Sequence, residues 1–226
     1  MLFLSGIILL VYGCAPQMEE IKMDPEVLIH LKKQPLIRVV LYTPGPVFVR
    51  ENKGVLGVGT REWATAGNKM VIDYSVEDPA IRIKDHVLSS LEADPGLKID
   101  HTVYNNPYDI KISKLNGKFG YGFAIGFRSE IKLFPFPGTI YGIDPDYWSH
   151  YQLSFGAFSW LIDLDNSKIV WRAKCGVTWK DRKTSPSLEE LEANNGALLK
   201  VKFNEAADAC AEELLAKFLG KDKSEK

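Results

Sequence analysis

The stretch YGFAIGFRSEIKL, residues 121–133, decides how the rest of this chain is read. Its odd positions are Tyr, Phe, Ile, Phe, Ser, Ile and Leu, while its even positions are Gly, Ala, Gly, Arg, Glu and Lys. Alternation with period two places one set on each side of a pleated backbone, so the segment reads as a long, half-buried strand. The segments QLSFGAFSWLIDL (152–164) and KIVWRAKCGVTW (168–179) repeat the pattern across a tight turn at Asp165-Asn166-Ser167. Together the three predict an antiparallel meander.

Upstream, PLIRVVLYTP (35–44) is a nearly continuous apolar run bounded by prolines and reads as a buried strand. PVFVRENKGVLGVG (46–59) reads as two short strands around Asn52-Lys53-Gly54, and MVIDYSV (70–76) as another strand. Asp78-Pro79 then supplies an N-cap and a first-turn proline for a helix. Ala80, Ile83, Val87 and Leu91 form its apolar face, and Asp94-Pro95-Gly96 stops it. LKIDHTVY (97–104) alternates as a strand, with His101 on the same face as Leu97, Ile99 and Val103 and so expected in the core.

Downstream, Ser187 and Glu190 have capping-box spacing for a short helix. A terminal helix is expected from about Gly196 to Leu219, with Leu199, Phe203, Ala207, Cys210, Leu214 and Phe218 as one stripe and Gly220 as its stop. Strands and segregated helices in this order imply an α+β fold. A largely antiparallel sheet carries a helix after the early strands and a long C-terminal helix packed on one face. Residues 35–220 are expected to form a single such domain, followed by the charged tail 221–226.

Two of the three cysteines face the interior on these patterns: Cys175 on the Trp171-Ala173-Val177-Trp179 face of its strand, and Cys210 on the helix stripe. A bridge between them would close a loop of about 35 residues and contribute a few kcal/mol in the chain-entropy model. Two buried free thiols fit the same pattern, and the choice stays open at this point.

The third cysteine closes a short apolar run, Leu2 to Tyr12, broken only by Ser5 and Gly6. A membrane-spanning helix needs roughly 20 apolar residues, so this run is too short to span and has the length of a signal-peptide core. Val11-Tyr12-Gly13-Cys14 resembles a bacterial lipobox: an aliphatic residue, a tolerated residue, a small residue and the cysteine. The resemblance implies a signal peptide over 1–13, diacylglyceryl transfer to Cys14 and cleavage before it. The polar stretch from Pro16 to about Lys33 then reads as part of a lipid-anchored tether over 14–34, with a short helix from Pro25 through Lys33. Ala15, where Asp would favour retention at the inner membrane, points to the periplasmic face of the outer membrane. No Lys or Arg precedes Lys22, which departs from the usual basic leader.

The hairpin WLIDLDNSKIVW (160–171) carries a second resemblance. Leu161, Asp163, Lys168 and Trp171 match aliphatic-x-Asp-x-x-Thr-Gly-Lys-x-x-Trp, while Asn166-Ser167 stand in place of Thr-Gly. That pattern is similar to one in periplasmic lipoproteins of the curli-secretion, TolB-N-terminal and ABC-transporter-auxiliary type.

Lys and Arg number 28 against 29 Asp and Glu, and no basic cluster suggests nucleic acid. Catalytic motifs fail on geometry. Ser129-x-x-Lys132 lies in a strand, where positions three apart face opposite ways. Gly57-Val58-Gly59 lacks the remainder of any phosphate-binding loop. Asp163-Leu164-Asp165 lacks the glycine that a calcium loop requires. The four histidines are scattered. The expectation is a non-enzymatic protein without metal or cofactor, held at the membrane through lipidated Cys14. It would serve as an accessory, assembly or binding factor for an envelope protein or cell-wall partner, with its oligomeric state open.

One feature bears on partners. The loop FPFPGTIYGIDPDYWSHY (134–151) offers Phe134, Phe136, Tyr141, Tyr147, Trp148 and Tyr151 between two strong strands. Such rings either cover one end of the sheet or contact a partner or a membrane. The flanking strands alternate large apolar residues with Gly, Ala and Ser, and a transmembrane strand needs only about 9 to 11 residues. The alternative expectation is therefore an oligomeric outer-membrane secretion pore to which residues 120–164 contribute a hairpin.

Overall fold

The computed structural model describes residues 19–33, 36–44, 47–49, 68–94, 96–106, 111–135, 151–179 and 184–221. The elements are α1 (Pro25–Lys33), β1 (Ile37–Tyr42), β2 (Phe48–Val49), α2 (68–73), α3 (Pro79–Glu92), β3 (Ile99–Asn106), α4 (Ile112–Phe119), β4 (Phe123–Pro135), β5 (Tyr151–Asp163), β6 (Lys168–Thr178) and α5 (Leu188–Phe218).

The sheet runs β3-β1-β4-β5-β6, with β2 beside the far end of β4. Its longest ladders are the antiparallel β4–β5 and β5–β6 pairs, the meander that the alternation predicts. β1 enters parallel to both β3 and β4, which makes the sheet mixed. The fold is α+β, with α3 and α5 on one face.

That face carries the main core. Ile37 and Val39 of β1, Phe123, Ile125, Phe127 and Ile131 of β4, Phe155 and Leu161 of β5, and Trp171 of β6 meet the stripes of α3 and α5. Every residue predicted for those two stripes is buried. Trp171 and Phe218 close the far end edge to face at 5.0 Å. Arg82 of α3 clasps Asp208 of α5 with two bonds of 2.6 and 2.8 Å.

The second face is covered over half its length by α4, which lies where the sequence pattern carries no expectation. Leu115 sits on Val40, Tyr42, Ala124, Trp160 and Ile162. Asn116 ties α4 to the β5–β6 turn by donating to the Leu164 carbonyl at 3.0 Å and to the Ser167 hydroxyl at 2.6 Å. The first half of β4 is thus buried on both sides rather than one. Its even positions are small because Tyr42 and Trp160 press against them.

Caps behave as their chemistry demands. Asp78 caps α3 through Ala80 N–H, and Ser187 and Glu190 form the reciprocal capping box. α5 breaks at 193–196, where Asn194, Asn195 and Gly196 all have positive φ, so the two helices expected there are distinct in the backbone. Gly196 is required twice over. Its φ is +69°, and a Cβ would lie 2.8 Å from Cβ of Tyr74. At the far end Gly220 and Lys221 donate to the Lys217 and Ala216 carbonyls, a Schellman closure.

Three expectations are corrected. Residues 70–76 are not a strand. Residues 68–73 are helical, with Met70 buried and Ile72 exposed, because Tyr74 must reach the α5 break. Packing here overrides the preference of Val71-Ile72 for extended backbone. His101 is not a core residue. The β1–β3 register jumps between Arg38↔Asp100 and Val39↔Val103, looping His101 out to meet Glu92 at the surface. Residues 19–33, read as tether, are docked: Leu31 is buried, Lys32 pairs with Asp94 at 2.6 Å, and Ile21 bridges to Arg172. Of the two strands expected in 46–59, Phe48–Val49 is present and 50–59 lies outside the described residues.

Candidate functional site

Where α2, the N-terminus of α3, β2 and the far half of β4 meet, a cleft of about 410 Å³ opens. Its walls are apolar: Pro44, Val47, Val71, Val76, Pro79 and Ile131. Its polar groups are Asn68, Glu77, Asp78 and Ser129.

Each polar group has a reason to be there. Ser129 breaks the apolar alternation of β4 and is fully buried, so its hydroxyl needs a partner. It donates to Oδ1 of Asp78 at 2.6 Å, and the same oxygen accepts Ala80 N–H at 2.9 Å. Burial pushes the Asp78 carboxyl above its ordinary range, against the Ser129 and Ala80 bonds, and Glu77 adds to the rise. Asn68 accepts Val47 N–H at 3.1 Å through its side-chain oxygen, pinning β2 to α2. Glu77 is exposed.

The chemistry available is therefore limited. Of the two carboxyls in the lining, Glu77 is exposed, and Asp78 is half-buried and already caps a helix. No His, Cys, Lys or Arg is among the described residues lining the cleft. A wall of branched apolar side chains with a few acceptors at one edge suits an apolar side chain of a ligand or partner.

The residues singled out from the sequence fall elsewhere. Cys14 lies outside the described residues, as do Phe136, Tyr141, Tyr147 and Trp148. Phe134 and Tyr151 are strand residues at the end of the β4–β5 ladder that leads into the connection 136–150. Cys175 and Cys210 are joined by a disulfide with Cα atoms 5.4 Å apart, which fastens α5 to β6. Ser129 takes part in the cleft, bound to Asp78. Asp163 accepts Asn166 N–H at 3.0 Å and its amide at 2.8 Å, so it shapes the β5–β6 turn. Among the described residues no group of three or more His, Cys, Asp or Glu could hold a metal ion.

The described part of 120–164 is the β4–β5 ladder of the sheet, and a barrel wall would need one face of each strand turned to lipid. Phe123, Ala124, Ile125, Gly126 and Phe127 of β4, with Ser159, Trp160, Leu161 and Ile162 of β5, are instead buried on both faces of the sheet. The hairpin tip, 136–150, lies outside the described residues. No described helix is long and apolar enough to cross a membrane.

Sequence reading found Asp78 only as a cap and passed over Ser129 as a chance motif. The missed signal was the lone hydroxyl on an otherwise apolar strand face.

No protein-family model and no curated protein matches the chain. Among solved structures it is similar to the PelC dodecamer from Paraburkholderia phytofirmans, at 12% identity and TM-score 0.33 over 80% of this chain and 86% of that one. It is similar to the hypothetical protein CT253 from Chlamydia trachomatis, at 11% identity and TM-score 0.36 over 81% and 96%. It is also similar to lipoprotein GNA1162 from Neisseria meningitidis, at 14% identity and TM-score 0.26 over 76% and 97%. At these values the likeness is one of general architecture and carries no argument about function.

Proposed function

We propose that this chain is a lipid-anchored accessory protein of the bacterial cell envelope that acts by binding a partner protein rather than by catalysis. The lipobox-like segment ending at Cys14 supports the anchor, and Ala15 supports the outer membrane as its site. The observation that carries the binding role is the cleft at the start of α3. It is apolar and open, and its Asp78 carboxyl is already engaged by Ser129 and Ala80. The Ser129 hydroxyl is spent on the Asp78 carboxyl that caps α3, and the described lining holds no His, Cys, Lys or Arg, which supports binding over catalysis.

A photo-crosslinking residue at Val71, introduced in the intact envelope, tests this reading. It should capture a discrete partner that the same residue at Val201 on α5 does not, and Ile131→Trp should abolish capture by filling the cleft. No product at Val71, or the same product at both positions, would remove the binding role. Cys14→Ser should leave an unprocessed precursor without lipid label, and normal processing would remove the anchor.

A further inference from the structure

The segment that leads to Cys14 is locked to one edge of the sheet. Ile21 exchanges both backbone bonds with Arg172 of β6, at 2.9 and 3.0 Å. Glu20 reaches over that edge and accepts Lys174 N–H and the Lys217 ammonium, each at 2.9 Å. Lys217, from the last turn of α5, also donates to the Lys174 carbonyl at 2.7 Å and pairs with Glu213 at 2.8 Å. The Arg172 guanidinium reaches the Glu19 carbonyl at 3.4 Å. Contact with the β6 edge thus starts no later than Glu19, five residues after Cys14.

A fully extended chain covers at most about 3.6 Å per residue, so Glu19 lies within about 18 Å of the Cα of Cys14 whatever the intervening conformation. A flexible tether running to residue 34 would let the domain turn freely; one that ends at Glu19 does not.

We infer that the β6 edge, with the last turn of α5 beside it, is the membrane-facing side of the domain, its partner being the lipid headgroup surface. This rests on the reading of Cys14 as the acylated residue. The opposite edge, β3, and the outer ends of α3 and α4 are then presented away from the bilayer. The device that sets the orientation is the Glu20–Lys217 latch together with the Ile21–Arg172 pairing.

The test uses the full chain, acylated by the host and reconstituted in vesicles whose headgroups carry a nitroxide quencher. A small fluorophore is introduced as a non-natural residue at Thr178 on β6 or at Asn105 on β3. Strands lie about 4.8 Å apart, so the two edges are separated by about 19 Å, and quenching should be about threefold stronger at Thr178 than at Asn105. Inserting about 20 Gly and Ser residues between Gln17 and Met18 adds about 25 Å of flexible reach and should bring the ratio close to one. Equal quenching in the unextended protein, or a ratio that the insertion leaves unchanged, would overturn the orientation while leaving the anchor in place. Absence of acyl mass on Cys14 together with failure to associate with vesicles would overturn the anchor reading and the orientation with it.

Discussion

The hydroxyl of Ser129, in the middle of β4, donates to the carboxyl of Asp78, the N-cap of α3, at 2.6 Å across 51 positions of sequence. This bond seats the start of the helix on the sheet and forms the floor of the cleft. It also buries a carboxyl, and burial raises the proton affinity of Asp78 in the folded state.

For an acid whose folded pKa is raised, the stabilising contribution is complete below the unfolded value and is lost as pH rises through the folded one. Asp78→Asn keeps a capping oxygen and removes the ionisation. The variant should match or exceed the wild type in denaturant stability at neutral pH. The difference should shrink as pH falls below the ordinary Asp range. A variant less stable than wild type at neutral pH, with a gap independent of pH, would contradict this account of the site.

The Cys175–Cys210 bridge closes a separation of 35 residues between β6 and α5. Chain entropy then assigns it about 4 kcal/mol. Replacing both cysteines by Ala should lower the unfolding free energy by an amount of that order. Treatment of the wild type with a reductant should reproduce the loss, and the reductant should have no effect on the double variant. Urea unfolding followed by circular dichroism reads all three.

A Cβ on Gly126 would come within 2.6 Å of the Tyr42 ring and 3.4 Å of Trp160. Tyr42 has no accessible surface and packs edge to face on Trp160 at 5.1 Å, so neither ring has room to withdraw. Gly126→Ala should therefore cost about 1–3 kcal/mol by overpacking. Gly156→Ala, which meets only backbone oxygens at 3.7 Å and beyond, should cost less when compared by the same melt.

Glu20 governs the docking of the N-terminal segment. Burial alone would raise its pKa, but the Lys174 amide and the Lys217 ammonium outweigh burial and hold the carboxyl below its ordinary range. A depressed carboxylate contributes stability above its unfolded pKa and loses it as pH falls through the folded one. Protection of the Ile21 and Arg172 amides, corrected for intrinsic exchange, should fall on acidification from neutral pH through the carboxylate range. In Glu20→Gln it should be weaker at neutral pH and respond little to acid. Hydrogen exchange resolved at those two amides decides the matter, and an unchanged profile in the variant would show that Glu20 does not hold the latch.

What was legible in the sequence is what short-range periodicity and local chemistry encode. The alternation of 121–133 and its two successors produced the meander, the spacing of Leu199 through Phe218 produced the terminal helix, and Ser187-Glu190 and Gly220 marked caps found where expected. Each depends on residues within a few positions of one another. The rest depends on which surfaces meet. The parallel entry of β1 beside β4, the burial of Ala124 and Gly126 under Tyr42 and Trp160, and the helical state of 68–73 under Tyr74 are tertiary choices. So are the bulge that expels His101 and the pairing of Ile21 with Arg172. Each is settled by contacts between distant segments, and no local pattern carries that information. The cleft belongs to the same class: Asp78 and Ser129 each make sense alone as a cap and a strand hydroxyl, and only the packing of α3 on β4 makes them one site.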